Sequence, residues 1–286
     1  MTSADPAGRL RGVRRPPRAL PWAPALTLAL LLGPVIAGFL GTLAPALGYL
    51  PALGGRSLDL APFAQLLAWP GLARALALSV GVGFGATLLS LFVVVLLTAS
   101  WQGTRLFGWF ERGLSPLLSV PHAAAALGLA FLIAPSGWVA RALSPWATGW
   151  ERPPDLLIVQ DPAGLSLLLG LVAKEVPFLL LMMLAALTQT QAGKSRAVAR
   201  AMGYRPLTGW LKTVFPQAYR QLRLPVYAVL AFSMSVVDVA VILGPSTPPP
   251  LAVQVVRWMN DPELALRFQA AAGALLQFGQ IGRAHV

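Results

Sequence analysis

The sequence predicts an all-α fold, a polytopic bundle of transmembrane helices. Of the 286 residues, 56% are hydrophobic and only 11% are charged, whereas about a quarter of the residues in a soluble domain carry a charge. Several windows of about 20 residues contain almost no charge, which is the length an α-helix needs to cross the hydrocarbon core of a bilayer. These two observations carry the prediction.

The apolar windows predict about six spans, joined by segments rich in glycine and proline at 51–70, 135–162 and 244–262. The spans are expected at 25–47, 72–99, 117–134, 164–187 and 224–243, and a sixth begins near residue 264 and is cut short. In the second span, Gly81 and Gly85 form a GxxxG pair, which is typical of close helix packing in membranes.

The positions of Lys and Arg predict the orientation in the membrane. With the N-terminus inside, the cytoplasmic segments hold fourteen: five in the N-terminal tail, two at Arg105 and Arg112, and seven in the segment 194–223. The opposite side holds six. An excess of cations on the cytoplasmic side is the rule for membrane proteins. We therefore expect residues 1–24 to form a cytoplasmic basic tail, followed by a transmembrane domain over 25–280.

Composition argues against several functional classes. The chain has no cysteine, so disulfides, thiolate metal sites and cysteine nucleophiles are excluded. Its two histidines are far apart in sequence and its ten acidic residues form no convergent catalytic set. The formal charge of +12 belongs mainly to the membrane edges, so nucleic acid is not an expected partner. We expect no metal, no cofactor and no catalytic residues.

One polar insert, AVARAMGYRPLTGWLKTVFPQA at 197–218, separates two apolar spans. Val198 and Met202 share one face of a first short helix, and Gly203 suits the left-handed residue that ends it. Pro206 suits the first turn of a second helix, and Pro216 ends or redirects that helix. The second helix carries an apolar stripe at Leu207, Trp210, Leu211 and Val214. Such a segment can also rest on anionic headgroups or pack against its own spans.

The spacing of this insert resembles the EAA loop of ABC importer permeases. That pattern is Glu-Ala-Ala, three residues, Gly, nine residues, Ile, one residue, Leu-Pro. The corresponding residues here are Ala197-Val198-Ala199, Gly203, Thr213 and Phe215-Pro216. Ala197 and Thr213 stand where the family has Glu and Ile. The resemblance extends over most of 72–278. It includes the segment 174–178 before the insert, and the segment 235–253 is similar to permeases for thiamine-type or iron-type uptake.

This resemblance implies a type I-like permease subunit in a bacterial inner membrane, importing a small solute, with thiamine or a related compound favoured and iron next. It also implies several partners: a cytoplasmic ATPase dimer, a periplasmic solute-binding protein, a second permease half or a second copy, and membrane lipid. The ATPase-coupling residues would be Val198, Ala199, Met202, Gly203, Pro206, Leu207, Trp210, Leu211 and Pro216. Since the chain has no GxxxxGK[ST] phosphate loop, it is not expected to be an enzyme, and ATP hydrolysis would come from the partner.

The C-terminal residues IGRAHV interrupt the sixth apolar span with an arginine and a histidine. They match an in-frame translation of a common sequencing-adapter read-through. We expect 281–286 to be such an artefact and the natural chain to continue, with this chain as the first half of a two-repeat permease.

Three charged residues within the spans are candidates for the solute pathway: Lys174, Glu175 and Asp238. Charges at membrane depth are costly and tend to face a cavity or a partner. Lys174 and Glu175 can equally make a structural contact that supports a kink at Pro177, and Asp238 can cap backbone groups near Gly244. An alternative function is an ion-gradient-driven secondary transporter in which these three residues relay the coupling ion. His122, beside a proline, is expected to make a polar contact near a membrane boundary.

Overall fold

The computed structural model describes residues 22–283, and the regular elements within that range are helices. Most of the predicted basic tail (1–21) and residues 284–286 lie outside the described residues. A short 3-10 helix at Pro51–Leu53 accompanies the α-helices. Within the described range the α-helices are α1 Ala23–Ala46, α2 Ala61–Ala68, α3 Leu72–Trp101, α4 Arg105–Ser119, α5 His122–Ile133, α6 Trp138–Leu143, α7 Leu165–Thr188, α8 Ala192–Ala201, α9 Pro206–Thr213, α10 Phe215–Ser235, α11 Asp238–Leu243, α12 Leu251–Met259 and α13 Leu266–Arg283.

Four helical segments among the described residues are long and apolar enough to cross a bilayer. They are Ala23–Ala46, Leu72–Trp101, His122–Leu143 and Leu165–Thr188. α10 and α13 are 21 and 18 residues long. α10 carries Arg220 and Arg223 in its first half, and α13 has an arginine at each end, Arg267 and Arg283. The all-α prediction is therefore confirmed, while the count of about six spans stays a prediction.

The chain divides into two compact units, one up to Gly41 and one from Thr42 onward. The first contains most of α1, whose leucine, valine and phenylalanine side chains are exposed. A helix that is apolar all round is typical of a segment surrounded by lipid or by other membrane helices.

The second unit is held together by α3, α7 and α10, which pack through small residues. A Cβ at Gly83 of α3 would lie 2.3 Å from Cγ of Met234 in α10, and a Cβ at Gly85 would lie 2.8 Å from Cδ1 of Leu168 in α7. A Cβ at Gly81 would meet no atom within 4 Å. The predicted close helix packing is thus right for Gly85. The other glycine of α3 at which a neighbouring helix approaches closely is Gly83 and not Gly81.

Two predicted spans are interrupted. The span expected at 117–134 is broken after α4, because Pro121 has no N–H and drives the preceding Val120 to an extended ψ of 126°. The span expected at 224–243 begins earlier, at Phe215, and is broken at Val236 and Val237, where ψ of Val236 is 135°. The segments predicted as loops also contain the short helices α2, α6 and α12, which local turn residues do not reveal.

Candidate functional site

The polar insert folds as a helical hairpin, α8 and α9, joined at Gly203. The N–H of Gly203 donates to the carbonyl of Arg200 at 2.9 Å, and the N–H of Tyr204 donates to the carbonyl of Ala199 at 3.0 Å. This pair of hydrogen bonds is the Schellman end of a helix, which requires a left-handed residue, and φ of Gly203 is +80°. Pro206 then opens α9 as predicted.

The hairpin closes through two small residues. A Cβ at Gly209 of α9 would lie 2.9 Å from the Cβ of Ala199 in α8, so the two helices approach closely at this point. Ala199 is only 2% exposed and Trp210 only 1%. Both were predicted as ATPase-coupling residues, but in this chain they lie inside the hairpin and against the other helices, and neither side chain is accessible to a partner.

Four other predicted coupling residues form the exposed apolar part of the hairpin. Val198 and Met202 of α8 are 56% and 66% exposed, and Leu207 and Leu211 of α9 are 42% and 39% exposed. The predicted stripe of α9 is therefore divided, with Trp210 and its neighbour Val214 inside and the two leucines outside. Gly203, Pro206 and Pro216 lie at helix ends, Pro216 in the first turn of α10.

The hairpin and the start of α10 carry only positive charge. Residues 192–223 contain seven Lys and Arg and no Asp or Glu. α4, whose first residue follows the end of α3, adds Arg105 and Arg112 and one carboxylate, Glu111. The surface offered by this end of the second unit therefore combines exposed apolar side chains with cations.

A buried lysine stabilises the break between α4 and α5. The ammonium of Lys174 donates to the carbonyls of Leu117 at 2.9 Å and Val120 at 2.7 Å. These carbonyls have no intrahelical partner, because α4 stops here. Lys174 thus makes a structural contact with the break between α4 and α5 and not with a kink at Pro177, and its place on a solute pathway stays a prediction.

Glu175, the next residue of α7, faces a different environment. Its Oε1 lies 3.8 Å from Nε2 of His122, and its side chain is 6% exposed. The described residues provide no closer hydrogen-bond donor to this carboxylate. The imidazole of His122 in turn lies against the ring of Phe232, with 4.9 Å between the ring centroids.

These residues line a cavity of about 360 Å³, which we call the Glu175 cavity. Its walls are apolar, with Phe178 of α7 and Phe232 of α10 among them. His122, Lys174 and Glu175 supply its polar groups. A concave apolar pocket with few convergent polar groups is the usual form of a small-molecule site.

Asp238 does not line the Glu175 cavity. It is exposed and begins α11 directly after the break in the preceding helix. Of the three predicted pathway residues, the structure thus brings Lys174 and Glu175 to the cavity, together with His122, which the sequence did not single out for this role. Its position directly after Pro121, at a helix break within an apolar run, is the signal that could have identified it.

The second helix break is also stabilised by a side chain from a distant helix. Nε2 of Gln277, in α13, donates to the carbonyl of Met234 at 3.0 Å, and Gln277 is buried. Irregular backbone at membrane depth is tolerated only where the protein or a cavity satisfies it. Both breaks meet this condition, and nothing in the local sequence pointed to Gln277.

At the other end of α7, Asp161 caps the helix. Its carboxylate accepts hydrogen bonds from the N–H of Leu165 at 2.9 Å and of Ser166 at 2.8 Å, and the Ser166 hydroxyl lies 2.9 Å from it and 2.7 Å from the carbonyl of Leu243. Partial burial works to raise the pKa of Asp161, but these hydrogen bonds outweigh it and hold that pKa below its ordinary value. The cap fixes α7 to the end of α11.

Within residues 22–283, no group of three His, Asp or Glu side chains lies close enough together to hold a metal ion.

Comparison with known proteins gives one informative similarity. No family model matches the chain. Over 255 residues it is 31% identical to the inner membrane ABC transporter permease protein YnjC of Escherichia coli (strain K12), an alignment that covers 87% of this chain and 45% of that protein. The chain thus spans just under half the length of this relative. Together with the apolar helices, the similarity confirms the predicted fold class, an all-α bundle of transmembrane helices.

Proposed function

We propose that this chain is a permease subunit of an ABC import system, in which it forms part of the pathway for a small solute across the inner membrane. The observation that carries the proposal is the similarity to a protein named as an inner membrane ABC transporter permease. The helical hairpin α8–α9 supports it, because a permease driven by a separate ATPase needs an exposed and rigid element to receive the motion.

In this proposal the hairpin is the element that docks on the ATPase dimer. Its exposed apolar side chains, Val198, Met202, Leu207 and Leu211, are available for a partner's groove, while buried Trp210 fastens α9 to the other helices. Large apolar side chains anchored in a partner's pocket supply most of the energy of an interface. The positive charge of the segment supports a cytoplasmic location for it, and the proposal has the N-terminus on that side too.

The relative is more than twice as long as the region that this chain matches. We propose accordingly that the pathway is completed by a second permease half, or by a second copy of this chain, and that a periplasmic binding protein delivers the solute. Membrane lipid surrounds the exposed apolar helices.

The Glu175 cavity is the proposed solute site, and an organic cation of the thiamine type is the proposed cargo. A buried carboxylate without a close donor favours a positively charged ligand, and two phenyl rings in the wall favour an aromatic or ammonium group. Iron ranks second, because the described residues bring no three metal-binding side chains together.

The docking proposal is tested by adding a negative charge among the exposed apolar side chains of the hairpin. Leu211→Asp in the tagged full chain should abolish co-purification of an ATPase subunit and the ATP hydrolysis that it brings. Thr208→Asp is the matched control, because it adds the same charge to the exposed N-terminal turn of α9, where a carboxylate is tolerated. Equal retention of ATPase activity by both variants would show that α9 is not the docking element.

The solute proposal is tested by uptake of labelled thiamine into cells that express the complete system. Glu175→Gln should lower uptake at least tenfold, while Glu111→Gln, a carboxylate on α4 outside the cavity, should leave it unchanged. Uptake that survives loss of the ATPase and collapses with an uncoupler would instead support an ion-gradient-driven transporter. Uptake of iron without uptake of thiamine would show that iron, and not thiamine, is the cargo.

A further inference from the structure

A second, smaller cavity lies between the hairpin and the end of α3, and three arginines line it. Arg196 and Arg200 come from α8, and Arg205 precedes α9. The cavity has a volume of about 50 Å³. The proposed transport function gives this cavity no role, so the three arginines that line it need an explanation of their own.

The arginines of this cavity have no anionic partner in the described part of the chain. Between Glu175 and Asp238 the sequence contains no carboxylate, and the ion pair found within residues 22–283 joins His122 and Glu175. Like charges held together without a counter-ion destabilise each other. Burial, and then the neighbouring charge of Arg200, lower the pKa of Arg196 below its ordinary value.

Two buried donors beside these charges also lack an acceptor. They are Nε of Arg196 and Nε1 of Trp210, and the Trp210 side chain is 1% exposed and lines the cavity. Arg196 uses Nη2 to donate to Oε1 of Gln102, which fixes its guanidinium and leaves Nε available. Buried donors are nearly always satisfied in folded proteins, so an unsatisfied pair beside a cavity indicates a missing acceptor.

The size and the donors of the cavity match a phosphate group. About 10–15 Å³ of such volume holds one water molecule, so this cavity accepts a group of about four such atoms, the size of a tetrahedral oxyanion. A phosphate group supplies at least two unesterified acceptor oxygens and at least one negative charge, and a free phosphate supplies three or more such oxygens. Guanidinium groups bind phosphate with paired, charge-assisted hydrogen bonds.

We propose that this cavity, which we call the Arg196 site, binds a phosphate group, either from an anionic phospholipid headgroup or from free phosphate. The end of α3 that borders it is the end of a membrane-spanning helix, and basic pockets between helix ends are typical sites for anionic headgroups. A bound phosphate joins α8, α9 and the end of α3, and so holds the hairpin in place.

The test uses the purified full chain without an ATPase, so its outcome is independent of the proposed transport function. Thermal unfolding, followed by tryptophan fluorescence, is measured in phosphatidylcholine nanodiscs in two arms. One arm raises the fraction of phosphatidylglycerol, and the other titrates inorganic phosphate at constant ionic strength against chloride. We expect a saturable rise in Tm of several degrees in the unmodified chain. A rise with phosphatidylglycerol alone identifies the lipid, and a rise in both arms identifies free phosphate as sufficient.

Arg196→Gln and Arg200→Gln should abolish the rise. Arg200 is exposed, so its variant keeps the test valid should Arg196→Gln fail to fold. Arg220→Gln is the matched control, because it removes one exposed arginine from the same end of the molecule but outside the cavity, and it should retain the full rise. An equal loss of the rise in Tm in Arg220→Gln would overturn the site, because the rise would then depend on the total positive charge and not on this cavity. No saturable rise in either arm would also overturn it.

Discussion

The left-handed turn at Gly203 gives the sharpest prediction about the hairpin, because its geometry separates two causes. A Cβ at this position would meet no atom within 4 Å, so a side chain is not excluded by contact. The backbone has φ of +80°, which a residue with a Cβ adopts only at a cost. Any effect of substitution therefore reports on backbone conformation alone.

The size of the effect follows from the residue that replaces glycine. An L-residue in this region costs about 1–2 kcal/mol, while Asn and Asp pay less because they visit it routinely. A β-branched residue such as valine lies at the upper end, about 2–3 kcal/mol. Since 1.4 kcal/mol is tenfold in an equilibrium constant, Gly203→Val should populate the open hairpin about 30–140 times more than glycine does, and Gly203→Asn less than about tenfold more.

The distance between α8 and α9 provides the assay. The chain has no cysteine, so Ala197→Cys and Thr208→Cys, one exposed residue on each helix, can carry spin labels specifically. We expect one narrow distance distribution with glycine and with Gly203→Asn, and a broad one with Gly203→Val. A distribution for Gly203→Val as narrow as that of Gly203→Asn would refute the reasoning, because the left-handed turn would then not be needed to close the hairpin.

Three further predictions concern stability in detergent, measured by thermal unfolding. Lys174→Met leaves the carbonyls of Leu117 and Val120 without their donor and should cost about 1–3 kcal/mol, whereas Lys194→Met on the exposed side of the hairpin should change little. Gly83→Ala places a methyl against Met234 and should cost about 1–3 kcal/mol, while Gly81→Ala, with open space, should stay within about 0.5 kcal/mol. The lowered pKa of Asp161 means that its stabilisation is complete above about pH 5 and is lost as the pH falls through the folded-state pKa. Asp161→Asn should therefore be less stable at pH 7 and should lose less stability than the unmodified chain between about pH 5 and pH 3.

Local chemistry made the hairpin predictable. Gly203 ends a helix and Pro206 begins one for reasons contained in their own backbones, so their spacing was sufficient. Which side of the α9 stripe would be buried was not predictable, because Trp210 and Leu207 are both apolar and only the packing of α3 and α7 distinguishes them. Ala199 was named as a coupling residue from the family resemblance, whereas in the structure it contacts Gly209, where the two helices approach closely.

The two helix breaks show where sequence reasoning fails. Pro121 was visible, but hydropathy averaged over a window concealed the break that it causes. The break at Val236 and Val237 has no glycine or proline, and it is stabilised by Gln277, more than 40 residues further along the chain. Side chains from distant helices decide whether unpaired backbone is tolerated in such a place, so a local pattern cannot predict it.

The adjacent residues Lys174 and Glu175, in one turn of α7, connect the break between α4 and α5 with the Glu175 cavity. Lys174 holds the last carbonyls of α4, and Glu175 lies beside the first residue of α5, so any movement of α7 relative to that break changes the walls of the Glu175 cavity. Trp210 of the hairpin belongs to the same buried apolar cluster as Leu179 and Leu180 of α7, one to two turns beyond Glu175. Closely packed interiors transmit displacement instead of absorbing it. If α9 docks on an ATPase as proposed, variants that loosen Trp210 should therefore reduce solute uptake in cells that express the complete system, without changing the residues that line the cavity.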